Sequence, residues 1–114
     1  PPAAGIAFYA SRIGRRRTMP NYVFLVQLTD QGIHTVKDSP KRANDFERAI
    51  AAAGGRVTTI LHTMGIYDAV VTAELPSDEV ANRLALGVGL SGAARTITLK
   101  GWTDPEFRQL VEKL

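Results

Sequence analysis

Residues 21–29 read Asn-Tyr-Val-Phe-Leu-Val-Gln-Leu-Thr, with five consecutive apolar positions from Tyr22 to Val26. The β-branched and aromatic content marks a strand. Side chains alternate sides along a strand, so Tyr22, Phe24 and Val26 face one way and Val23 and Leu25 the other. A strand that is apolar on both sides is buried on both sides. Any fold for this chain must therefore supply cover for each face of the sheet that holds this strand.

The rest of the chain supplies cover for one face. Ser39-Pro40 predicts a helix start, with serine as cap and proline at the first helical position. Ala43, Phe46, Ala49, Ile50 and Ala53 follow at helical spacing, and Gly54-Gly55 ends the helix. Residues 56–64 and 67–75 read as strands joined by a two-residue turn at Gly65-Ile66. Ser77, followed by Asp78 and Glu79, opens a second helix. Its apolar stripe is Val80, Ala81, Leu84, Ala85 and Val88, and the glycines at 87, 89 and 92 close it. Residues 93–102 form a fourth strand. Thr103 and Glu106 have capping-box spacing ahead of a terminal helix with Phe107, Leu110, Val111 and Leu114 on its apolar side. The segment between the first strand and first helix, residues 29–38, reads as a loop with one helical turn, broken at Gly32.

The order β-α-β-β-α-β plus a final helix predicts an α+β, ferredoxin-like fold. Its four-stranded antiparallel sheet carries two helices on one face. The other face would then be an apolar patch of a size monomers rarely expose. Two solutions offer themselves: the terminal helix folds back over it, or the same sheet of a second copy closes a barrel-like dimer. The expectation is a homo-oligomer, with the terminal helix packed at the rim or exchanged.

One domain fits the length of 114 residues. Residues 1–18 hold four arginines, Arg12, Arg15, Arg16 and Arg17, and no acid. Removing them from the formal +3 leaves ten basic against eleven acidic residues. The head is read as a basic extension outside the domain, which spans 19–114. The net-acidic body gives no electrostatic argument for nucleic acid. The absence of cysteine excludes disulfide and thiol chemistry and makes the cytoplasm the default compartment. His34 and His62 match no local metal spacing. No apolar run is long enough to span a membrane. Nothing in the sequence calls for a metal or cofactor.

Four stretches carry a resemblance: "TDQG" (29–32), "KDSPKR" (37–42), "TMGIYDAVV" (63–71) and "RTITLKGWT" (95–103). With Gly65, Tyr67 and Asp68 at its centre, the set resembles the GYD domain family, and the likeness runs from Met19 to Leu114. The resemblance implies a ferredoxin-like domain of the dimeric α/β-barrel type, found mostly in small bacterial proteins without an assigned activity.

Candidate chemistry clusters at the hairpin. A two-residue turn sets Thr63 opposite Asp68 and His62 opposite Ala69, and opposed residues share a face. Tyr67 then lies on the side of His62, with Asp68 on the other; one extra loop residue reverses this. His62, Tyr67 and Asp68 are the catalytic candidates, against partly exposed His62 and packed Tyr67 as the plain alternative. Asp68 is read either as an acceptor of backbone N–H groups or partner of Arg42 or Lys41, or as a base or ligand anchor. Asp30, Lys41 and Arg42 flank the entrance to the first helix, where an anion could bind. Trp102 is read as a packing anchor or a pocket wall, and His34 as a surface residue.

The favoured function is a self-associating domain with a small-ligand or regulatory role. The alternative is a cofactor-free enzyme, monooxygenase- or isomerase-like, by analogy of fold alone. A third reading stacks RNA bases on Tyr22 and Phe24.

Overall fold

The computed structural model describes residues 19–114; the basic head, residues 1–18, lies outside the described residues. Strand β1 (Asn21–Leu28) leads into a short helix α1 (Asp30–His34), a 3₁₀ turn (Val36–Asp38) and helix α2 (Ser39–Ala52). Then follow β2 (Arg56–His62), β3 (Ala69–Glu74), α3 (Asp78–Leu90), β4 (Ala94–Gly101) and α4 (Asp104–Glu112). The sheet order is β2-β3-β1-β4 with all neighbours antiparallel, which is the expected ferredoxin-like arrangement. The all-apolar strand β1 occupies a central position, where both its edges and its helix-side face are covered.

Helices α2 and α3 lie on the face that carries Tyr22, Phe24 and Val26. Tyr22 and Phe24 are 2% and 0% exposed, and Ile50, Val71, Ala73, Leu75 and Ala81 complete the core. Phe24 meets Phe46 of α2 edge to face, with ring centroids 5.3 Å apart, a favoured geometry for aromatic pairs. The proposed RNA platform is thus corrected: Tyr22 and Phe24 lie beneath the helices and present no stacking surface.

A bulge shapes β2. Val57 pairs with Ala73 but Thr59 pairs with Thr72, leaving Thr58 extra. The inserted residue switches side-chain parity. Val57 and Ile60, three apart, consequently both pack against the core from the helix side.

Three expected local features are corrected. Ser39 does not cap α2: the 3₁₀ turn runs straight into the helix, so Ser39 is already helical at φ −55°, ψ −40°, and Asp38 holds the cap position without a side-chain bond. Gly32 does not break structure but sits buried within α1, because a Cβ there would lie 2.0 Å from the Ala93 carbonyl oxygen. Gly87 and Gly89 lie within α3, and the turn after it is made by Gly92 at φ +81°. The other caps stand as expected: Ser77 Oγ accepts from Val80 N–H at 3.2 Å, and Thr103 with Glu106 forms a reciprocal capping box.

Among the described residues, no helix lies on the opposite sheet face. Leu61, Ile97 and Leu99 are 57%, 50% and 47% exposed there. Helix α4 does not fold back over it: α4 makes no substantial packing with any other element, and Phe107, Leu110 and Val111 are each about half exposed.

Candidate functional site

Helices α2 and α3 barely touch each other. Their separation opens a cleft of about 450 Å³ on the helix side of the sheet. Its floor comes from alternate positions of the strands, Val26, Ile60, Ala69 and Val71, which share a face by register. Ala43, Phe46 and Ala49 of α2 form one wall, and Leu84, Gly87 and Val88 of α3 the other. Small residues at 43, 49 and 87 keep the walls apart. The surface is mostly apolar, with a few polar groups at its margin, as ligand pockets commonly are.

His62 and Asp68 both line this cleft. The register placing His62 opposite Ala69 is as expected, and Thr63 N–H donates to the Asp68 carbonyl at 2.9 Å. The side-chain disposition beyond it is not. Regular pairing ends at Ala69, and Asp68 turns to the helix side, where its Oδ2 accepts a 2.8 Å bond from Leu28 N–H. Asp68 therefore joins His62, and Tyr67, expected beside His62, is not among the lining residues. Thr63 Oγ1 donates to the Tyr67 carbonyl at 2.7 Å, tying the turn. Asp68 thus accepts a backbone N–H, as one of its readings had it, and it pairs with neither Arg42 nor Lys41. Among the described residues, His62 has no hydrogen-bond partner for either ring nitrogen.

The remaining candidates are dispersed. Arg42 reaches the margin of the cleft, but its guanidinium is engaged: Nη1 donates to the Thr35 carbonyl and Oγ1 at 3.2 and 3.1 Å, and Nη2 to Ser39 Oγ at 3.2 Å. It fastens the start of α2 to the preceding turn. Lys41 points to solvent and pairs with Asp45 at 2.9 Å. Asp30 is an exposed first-turn acid of α1. Trp102 is 55% exposed and does not anchor packing. His34 lies at the surface, its Nδ1 2.7 Å from the Asp30 carbonyl. The cation at the cleft margin that sequence reasoning missed is Arg83, on α3. Its three-residue spacing from Val80, in the apolar stripe, was the available signal.

A second polar cluster lies at the other end of β1. The Tyr22 hydroxyl donates to Asp78 Oδ1, and Lys100 Nζ meets the same oxygen at 3.0 Å. Burial, reinforced by the adjacent carboxylate, pushes the Tyr22 hydroxyl up to about 12. The same hydrogen bond, together with Lys100, holds the Asp78 carboxyl below its ordinary range. This group ties α3 to the sheet. Among the described residues, no cluster of three His, Cys, Asp or Glu side chains could hold a metal ion, and no helix is long and apolar enough to cross a membrane.

Comparison with known proteins connects this architecture to a family. The model of the GYD domain matches residues 22–111. A Thermus thermophilus protein named glutamine synthetase and cystathionine beta-lyase binding protein is 29% identical over 83 residues, covering 72% of this chain and 87% of that protein. No solved structure matches. The family match takes in all four strands, the cleft and most of α4, from the core tyrosine onward: this chain belongs to the GYD domain family.

Proposed function

We propose that the chain is a self-associating binding module of the cytoplasm whose cleft takes a small, largely apolar ligand with one polar end. The observation that carries this reading is the cleft of about 450 Å³, a volume in the range of small-molecule sites. An apolar body would rest on Val26, Ile60 and Val71, and its polar end would meet His62, the free oxygen of Asp68 or Arg83. Self-association covers the bare sheet face, whose exposed leucines and isoleucine favour a partner of the same kind. The Thermus relative is named for binding two enzymes, which supports a regulatory module that works through protein contacts.

Ligand-observed NMR with a panel of small aromatic and aliphatic acids, amides and amines tests the reading. Binding should shift the methyl signals of Val26, Ile60 and Val88, and Ala43→Leu, which narrows the cleft from the α2 wall, should weaken it at least tenfold. A panel that leaves those methyls unmoved speaks against a ligand site.

The meeting of His62 and Asp68 in one cleft favours a second reading, a cofactor-free enzyme that uses this pair for proton transfer. Turnover lost in both His62→Gln and Asp68→Asn, with ligand binding retained, would distinguish it from simple binding.

A further inference from the structure

Charged groups of both signs line the cleft between α2 and α3: Arg42 and Arg83, Asp45 and Asp68. Their formal charges cancel, but their existing partners do not. Asp45 is already neutralised from outside the lining. Its oxygens meet Lys41 Nζ at 2.9 Å and Arg48 Nη1 at 3.7 Å. Asp68 keeps its charge, eased by the single N–H of Leu28 at 2.8 Å.

The two cations are left without an acid. Every acceptor of the Arg42 guanidinium is neutral: the Thr35 carbonyl and hydroxyl, the Ser39 hydroxyl, and the Gly32 carbonyl at 3.4 Å. These bonds hold the group in place without cancelling its charge. They occupy both Nη atoms and leave the Nε–H without an acceptor among the described residues. Arg83 stands on the other wall, on α3. Among the described residues it makes no ion pair, neither with Asp45 across the cleft nor with Glu79 one turn earlier. Once the neutralised Asp45 is set aside, two guanidinium charges face one carboxylate. The surplus in the cleft is positive, and it comes from the side chain whose planar fork best matches a carboxylate.

We infer that the ligand of this cleft is an organic monocarboxylate, a branched aliphatic or aromatic acid, whose charged end is received by Arg83 and Arg42. This rests on the ligand site proposed above and names its chemical class. The apolar body lies on Val26, Ile60 and Val71. Asp68 limits the ligand to one negative charge. A phosphate monoester carries close to two near neutral pH, and the second would be set against an acid already in the cleft. An amine would be repelled by both uncompensated guanidinium groups.

Methyl NMR titrations of the full chain test the inference, with circular dichroism confirming the fold of each variant. The probes are two series, each on one apolar body. One is 3-phenylpropionate, its amide, 3-phenylpropylamine and 2-phenylethyl phosphate; the other is 4-methylpentanoate with its amide and amine. In at least one series the acid should bind at least tenfold more tightly than every other member. Arg83→Gln should weaken the acid at least fivefold and leave the amide unchanged, which a merely structural role for Arg83 would not do. Arg83→Lys should restore part of the loss, and Asp68→Asn should tighten the acid severalfold by removing the opposing charge. If an amide, amine or phosphate binds as tightly as its acid, or Arg83→Gln holds the acid like the native chain, the carboxylate assignment is wrong and a ligand site of another class stands. If no probe of either series moves the cleft methyls, both the assignment and the ligand site fall.

Discussion

The carboxylate of Asp68 stands in for a strand carbonyl: its Oδ2 accepts a 2.8 Å hydrogen bond from Leu28 N–H, while the Asp68 N–H donates to the Val26 carbonyl at 2.8 Å. One residue thus continues the β1–β3 pairing past the end of the ladder and ties the base of the hairpin to β1. This accounts for an acid at a position where strands disfavour one. Asp68→Ala leaves the Leu28 N–H without its charged acceptor and should cost about 1.5–3 kcal/mol. Asp68→Asn keeps an acceptor and should cost less. Urea denaturation at one fixed chain concentration measures both; an Ala variant as stable as the native chain would remove this role from Asp68.

The Tyr22–Asp78–Lys100 cluster predicts a pH dependence at both extremes. The Tyr22 hydroxyl is raised to about 12 in the folded chain, against about 10 for a free phenol. Its contribution is therefore complete below pH 10 and lost as pH rises from 10 through 12. Asp78 is lowered, so its contribution is present above the ordinary carboxylate range and lost as pH falls through it. Tyr22→Phe should reduce stability by about 1 kcal/mol near neutrality. Its melting temperature should converge on the native value between pH 10 and 12. A gap that persists unchanged above pH 12 would contradict the assignment.

Two glycines should respond in opposite directions to alanine. Gly32→Ala drives a Cβ to 2.0 Å from the Ala93 carbonyl oxygen. Because backbone must move, the cost should reach about 3 kcal/mol or more. At Gly87, inside α3, an added Cβ meets nothing within 4 Å. Gly87→Ala should therefore stabilise by about 0.5–1 kcal/mol, as alanine favours helix. Thermal melts of the two variants decide the matter, and a destabilised Gly87→Ala would show that α3 moves closer to α2 than described.

The strand order, the hairpin register at His62 and Ala69, and the caps at Ser77 and Thr103 were legible because each rests on local chemistry: turn length, side-chain parity, and oxygens spaced to meet free N–H groups. What escaped depends on neighbours distant in sequence. Gly32 is small because of Ala93, sixty-one residues later, and Ser39 is helical because the turn before it is already wound. Parity placed Asp68 away from His62, but the strand ends at Ala69 and a tertiary hydrogen bond to Leu28 redirects the side chain. The cleft arises from how far apart α2 and α3 settle. Apolar stripes announce that both helices pack on the sheet, not the gap between them.

Strand β1 is apolar on both faces, and in the self-association proposed above a second copy would cover the side that its own helices leave bare. Light scattering on the full chain at micromolar concentration tests it most directly. The expected mass is that of two chains or a multiple of two, falling to one chain on Ile97→Glu with the fold retained. A native chain that scatters as one, stable and free of aggregation with Leu61, Ile97 and Leu99 open to water, would contradict it.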